Sequence, residues 1–122
     1  MILNHISIGV SDVNAAVKFY DDVLATLAVD RVHFIEGAAA AYGEKFEFWI
    51  GCPCSGSAST GNGSHVAFNA QSHVEVDEFY RVALESGGQC AGKPGLRPEY
   101  ADNYYAAFIL DLDGNKIEAV SM

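Results

Sequence analysis

Basic residues are scarce in this chain: seven lysines and arginines stand against 16 aspartates and glutamates, for a formal net charge of -9. A surface this acidic repels phosphate backbones, which excludes nucleic acid as an expected partner. It also leaves a large anionic ligand without counter-charge unless basic residues are gathered locally, and Lys93 and Arg97 are the candidates for that role. Long apolar runs are missing too. No window approaches the roughly 18 residues that would cross a bilayer. No basic stretch leads into an apolar one as in a secretory signal, and Met1-Ile2-Leu3 reads as running straight into a first strand. Cysteine is sparse: Cys52, Cys54 and Cys90 make no even disulfide framework, so a reducing cytoplasm is expected. Cys52-Pro53-Cys54 lacks the spacing of a redox Cys-x-x-Cys pair and sits at the edge of a Gly/Ser loop.

What is present is a half-hidden duplication. His5-Ile6-Ser7-Ile8 returns as His65-Val66-Ala67-Phe68, Phe19-Tyr20 as Phe79-Tyr80, and Leu24 as Leu84. The chain of 122 residues therefore reads as one domain of two units, 1–53 and 65–122, joined by a Gly/Ser/Asn-rich linker over 54–64. With half its residues hydrophobic, it can build a core.

Alternation over 3–10 predicts a strand, and Ser11 offers a cap for a helix over 12–26 whose apolar stripe includes Val13, Ala16, Val17, Tyr20, Leu24 and Leu27. Strands are expected near 30–36, 39–43 and 45–51. In the second unit a strand around Val66 and Phe68 precedes a capping box, Ser72-x-x-Glu75, and a helix burying Val76, Phe79, Tyr80, Ala83 and Leu84. Gly87-Gly88 ends that helix. A Gly/Pro loop is expected over 91–103, then a strand over 104–110, a turn at Asp113-Gly114-Asn115, and a closing strand over 116–121. Each unit is thus strand, helix and three strands.

Each helix must cover one face of its own strands. Period-two parity puts His5, Glu47, His65 and Glu118 on the opposite face. Two imidazoles and two carboxylates on such a face suit one divalent metal ion of borderline hardness: Ni, Co, Zn, Mn or Fe. Trp49, Tyr100, Tyr104 and Tyr105 fall near the same face and could line a pocket, while Lys93 and Arg97 lie on a loop that could close over a small ligand. His33 reads as an edge residue, His73 as an exposed residue in a first helical turn, and Asp111 and Asp113 as turn residues.

Leu3 to Val13, Gly63 to Phe68, and Phe108 to Glu118 together resemble the vicinal oxygen chelate superfamily, which includes glyoxalase I, fosfomycin-resistance thiol transferases, extradiol dioxygenases and bleomycin-resistance proteins. The resemblance implies an α+β fold of paired βαβββ units forming an eight-stranded cup, and a homodimer in which the site lies within one chain or across two. The four-residue pattern is most similar to bacterial glyoxalase I. That implies a metal held by His5, Glu47, His65 and Glu118, with Glu118 doubling as the base of a lyase or isomerase acting on a small carbonyl compound or its thiol adduct. Thiol transferases and dioxygenases would use only His5, His65 and Glu118, so Glu47 tips the reading. Two departures are visible. Leu112 replaces the proline of the usual Asp-Pro-Asp-Gly turn, and Gly61-Asn62-Gly63-Ser64 carries no arginine for a glutathione carboxylate. The alternatives are thiol addition to an epoxide, as in fosfomycin resistance, and metal-free binding of a small molecule.

Overall fold

A computed structural model describes residues 2–122; Met1, at the start of the expected first strand, lies outside the described residues. Strand β1 (Ile6–Gly9) leads to helix α1 (Val13–Ala25), then β2 (Arg31–Ile35), β3 (Ala39–Tyr42) and β4 (Phe48–Gly51). The plan returns as β5 (His65–Asn69), α2 (His73–Glu85), β6 (Gln89–Leu96), β7 (Tyr105–Leu110) and β8 (Lys116–Ser121). These make two four-stranded sheets, ordered β1-β4-β3-β2 and β5-β8-β7-β6. In each, the first and last strands of the unit pair in parallel and the other pairs are antiparallel. The α+β class and the paired βαβββ plan expected from the sequence are what the chain adopts.

Local chemistry sets the helix starts. Asp12, not Ser11, caps α1: its carboxylate accepts from Ala15 N at 3.0 Å. The Ser11 amide is engaged elsewhere, donating to Asp113 Oδ1. Ser72 caps α2 through Glu75 N at 3.2 Å, and the Glu75 carboxylate reaches back to Gln71 N at 2.8 Å. Both helices bury a stripe, but Leu84 is 39% exposed and does not belong to it, although its counterpart Leu24 is buried.

The largest departure from the sequence reading is β6. Residues Gln89–Leu96 form a strand despite Gly92, Pro94 and Gly95, where a loop was expected. It lies at a sheet edge and its register slips between Cys90 and Gly92 and again between Gly92 and Gly95. Edge strands tolerate proline and bulged glycine because one side of the ladder needs no partner.

One core joins the two units. Phe48 from β4 meets Phe68 from β5 edge to face at 5.0 Å, and residues of both helices pack in the same cluster. A polar clasp adds to it. The Tyr20 hydroxyl of α1 donates to Asp111 Oδ2 at 2.6 Å, and Asn115 Nδ2 donates to the Gly9 carbonyl at 3.0 Å. Asp111 is therefore more than a turn residue: it is 4% exposed and also accepts from the amides of Asp113 and Asn115. With the helices on one side, the opposite sheet faces carry Ser7, Trp49, Ala41 and His33 in the first sheet and Ala67, Glu118 and Phe108 in the second, in cross-strand register.

Candidate functional site

Glu118 sits mid-strand in β8, with Ile117 and Ala119 directed into the core, so alternation turns its carboxylate onto the open face of the second sheet. Its residue is nonetheless only 1% exposed, because Ala106, Phe108, Val120 and Tyr104 cluster on that face. A carboxylate removed from water needs partners, and it has two. His65 Nε2, at the start of β5, lies 3.0 Å from Glu118 Oε1, and the Tyr104 hydroxyl donates to Glu118 Oε2 at 2.5 Å. The His65 side chain is 41% exposed, so the pair opens to solvent through the imidazole. Tyr104 is held by its backbone: its carbonyl accepts from Arg97 N at 2.7 Å and its amide donates to the Ala101 carbonyl. Burial, and secondly the bond to Glu118, push the Tyr104 phenol up to about 12, so it remains a donor at neutral pH.

The other two expected ligands are placed differently. His5 lies just before β1, exposed, with Nδ1 2.7 Å from Asn4 Oδ1 and its ring 6.4 Å from Trp49. That is the face the parity argument assigned to it. Glu47 precedes β4, which begins at Phe48 and not at 45 as expected. Phe46 is left-handed (φ 60) and Gly43 has φ 97, and together they shape a turn that draws Glu47 back, so that its Oε1 accepts from Lys45 N at 2.8 Å. A Cβ on Gly43 would stand 2.5 Å from that same oxygen. His5, Glu47 and His65 share the rim of one groove of about 550 Å³, largely apolar and walled by Ile6, Val66 and Phe68. Even so, no three His, Cys, Asp or Glu side chains converge on a cation-sized point among the described residues. The donor chemistry suits a divalent cation, and of the four expected ligands the chain brings His65 and Glu118 into contact.

Of the expected ligand-contacting residues, Trp49 stands on the face of the first sheet, its Nε1 donating to the Phe46 carbonyl. Its ring lies 5.8 Å from His33, which is the exposed edge-strand residue that was expected and also joins this aromatic group. Tyr100 is exposed and packs edge-on against Tyr104 at 5.2 Å. Tyr105 takes the opposite parity and stacks on the exposed His73 at 3.8 Å, away from the Glu118 face. Lys93 is exposed on β6, and Arg97, just past it, lies 5.5 Å from the Phe108 ring centroid. Phe108 itself, with Lys116 beside it at 4.9 Å, belongs to the same face but was not singled out from the sequence. The signal was available, because Lys116 shares strand parity with Glu118.

Among the described residues, no helix is long and apolar enough to cross a membrane. The profile of the Glyoxalase/Bleomycin resistance protein/Dioxygenase superfamily matches residues 2–119. A glyoxalase/bleomycin resistance protein from Albidiferax ferrireducens is 33% identical with a TM-score of 0.89, covering 100% of this chain and 99% of its own. A lactoylglutathione lyase from Agrobacterium tumefaciens (20% identity, TM-score 0.69, 99% and 92% coverage) shares the fold. So does a fosfomycin resistance protein from Listeria monocytogenes (19%, 0.72, 100% and 93%). No curated protein sequence matches significantly. A profile spanning nearly the whole chain, together with a relative one-third identical over its full length, places this protein in the glyoxalase/bleomycin resistance/dioxygenase superfamily.

Proposed function

We propose that this chain is a metal-dependent lyase or isomerase of glyoxalase type, acting on a small carbonyl compound or its thiol adduct. The observation that carries the reading is the buried Glu118 carboxylate, held by His65 at 3.0 Å on one oxygen and by Tyr104 on the other. His65 and Glu118 would hold a divalent Ni, Co, Zn, Mn or Fe ion, with His5 and Glu47 contributed by a second copy in a homodimer. When bound, the metal supplies Lewis-acid polarisation of a substrate carbonyl. The chain's own residues supply the proton chemistry. Glu118 takes a proton from the carbon beside the carbonyl and returns it to the neighbouring carbon, so the conversion is redox-neutral. Tyr104 fixes the carboxylate's orientation, and the apolar ring of Phe108 beside it excludes water. Trp49, Lys93, Arg97 and Tyr100 line the approach. Three exposed free cysteines suit a reducing cytoplasm.

A second reading is favoured by one specific observation: both Glu118 oxygens, and the heads of His5 and Glu47, already have partners within the chain. In that reading the protein binds a small molecule without metal. Elemental analysis of untagged protein separates the two. The enzyme reading expects one bound metal per site and activity with methylglyoxal and a thiol that E118Q abolishes. Full activity of E118Q, or failure to bind any of the five metals, would overturn it. Turnover of fosfomycin with a thiol would instead indicate epoxide opening.

A further inference from the structure

Arg97 lies in a trough that exists because β6 has no side chains there. A Cβ on Gly92 would stand 2.9 Å from Phe108 Cδ1 and 3.2 Å from one Arg97 terminal nitrogen, and a Cβ on Gly95 would stand 3.2 Å from the other. The guanidinium is anchored in this trough by donating to the Gly95 carbonyl at 2.9 Å and the Lys93 carbonyl at 2.7 Å. Of its five N–H donors, those two bonds leave the rest unspent. Lys116 brings a second cation to the same ring, its Nζ 4.9 Å from the Phe108 centroid against 5.5 Å for the guanidinium carbon. Between them, with His65 edge-on at 5.9 Å, these groups leave Phe108 only 7% exposed although it sits on the open face.

Neither cation has a carboxylate partner. Among the described residues the ion pairs of lysine and arginine are those of Arg31 with Asp21 and of Arg81 with Glu78 and Glu85. In a chain with 16 acids and seven bases, two cations without carboxylate partners that reach one aromatic ring, one from the end of β6 and one from β8, make this face locally positive. Its position is informative. Phe108 is the cross-strand partner of Glu118, and Lys116 is the partner of His65. Lys116 thus stands about one strand spacing, roughly 5 Å, from His65, while Arg97 reaches the ring of Glu118's cross-strand partner from the side of β6. Beside Lys116 a cleft of about 430 Å³ is rimmed by Thr60, Asn62, Ser64 and His65, hydroxyl and amide groups that can also donate to an oxyanion.

We propose that Arg97 and Lys116 form a carboxylate-recognition element, and that the ligand of this site is a short organic acid. Its carboxylate rests against the two cations while the carbon a few bonds away faces Glu118. Arg97 offers a planar pair of donors in fixed orientation, and Lys116 adds a movable charge. The element would let an acidic protein take an anionic ligand that its overall field disfavours. Only the placement of the reacting carbon rests on the reading of Glu118 as the base; the recognition of the anion stands without a metal.

The test is an NMR titration of the labelled, metal-free protein with pyruvate, with its uncharged methyl ester, and with inorganic phosphate. Pyruvate is expected to shift the Arg97 side-chain and the Phe108 and Lys116 backbone signals saturably, and the ester to bind at least about tenfold more weakly. Lys116→Gln and Arg97→Gln should each weaken pyruvate binding about fivefold or more, with circular dichroism unchanged. Equal affinity for acid and ester, no saturable shift with pyruvate, or unaltered binding in both variants would overturn the proposal. Phosphate binding tighter than pyruvate would overturn the carboxylate assignment. Because the titration is run without metal, its failure leaves the metal reading intact, and absence of metal leaves this result intact.

Discussion

If His5 and Glu47 serve a site completed by His65 and Glu118 of another copy, two crippled variants should rescue one another. The first variant carries His5→Ala with Glu47→Ala, and the second His65→Ala with Glu118→Gln. His5 and Glu47 immediately precede strands of the first sheet whereas His65 and Glu118 lie in strands of the second, so each double variant leaves the other pair intact. Alone, each homodimer has only half a shell at both sites, and loss of two ligands should weaken metal binding by far more than the 10- to 100-fold typical of supporting residues. Mixed and allowed to exchange subunits, equal amounts give about half heterodimers in a two-fold assembly. Each heterodimer then holds one intact site and one lacking all four side chains, so about a quarter of all sites are restored. Bound metal per chain, measured by elemental analysis after dialysis against substoichiometric chelator, should rise from near zero to about a quarter of the wild-type value. A site confined to one chain gives no rescue at any mixing ratio. No rise after exchange has been verified by mass-tagged subunits would therefore refute the shared-site reasoning outright.

The remaining expectations concern the scaffold. Tyr20→Phe removes one donor to the buried Asp111 and should cost about 1.5–3 kcal/mol, read as a lower urea midpoint with an unchanged slope. Burial, and then Asp111, raise the Tyr20 hydroxyl well above its usual 10.0, and burial with Asp21 raises Tyr42 in the same direction. Folded values above unfolded ones mean that this stability is complete below about pH 10 and declines as pH climbs beyond it. Ultraviolet titration should therefore show these two phenols ionising only together with unfolding, and early ionisation of all six tyrosines would contradict it. Gly92→Ala drives a methyl into Phe108 and Arg97 and should cost about 1–3 kcal/mol while broadening the Arg97 side-chain signal; an unperturbed signal would show that the trough is not filled.

The repeat at His5 and His65 carried most of the fold, because hydrophobic period and capping chemistry are local properties that survive into the folded state. The Ser72 cap shows this directly. The α1 cap was ambiguous because Ser11 and Asp12 both suit the position, and only the folded helix start shows that it is the Asp12 carboxylate that accepts from Ala15 N. Strand β6 could not be read because Gly92, Pro94 and Gly95 are loop residues by composition, and only the edge position makes a strand of them. Strand parity correctly assigned Glu118 and His65 to one face, and their contact follows from it. Glu47 escaped the pattern because a left-handed phenylalanine at 46 is a feature of the folded turn with no signature in residue type.

The clasp running from Asp111 and Asn115 to Tyr20 and Gly9 has a further consequence. It is asymmetric: it joins the last turn of the later unit to the first strand and helix of the earlier one, and among the described residues no hydrogen bond joins the turn before β4 to α2 or β5. A gene fragment encoding only residues 1–53 would therefore leave Tyr20 without its acceptor, and one encoding only 65–122 would leave a buried acid short of a donor. Whatever symmetric ancestor the duplication began from, these two halves have since become unlike, and neither is expected to self-associate into a working substitute for the whole.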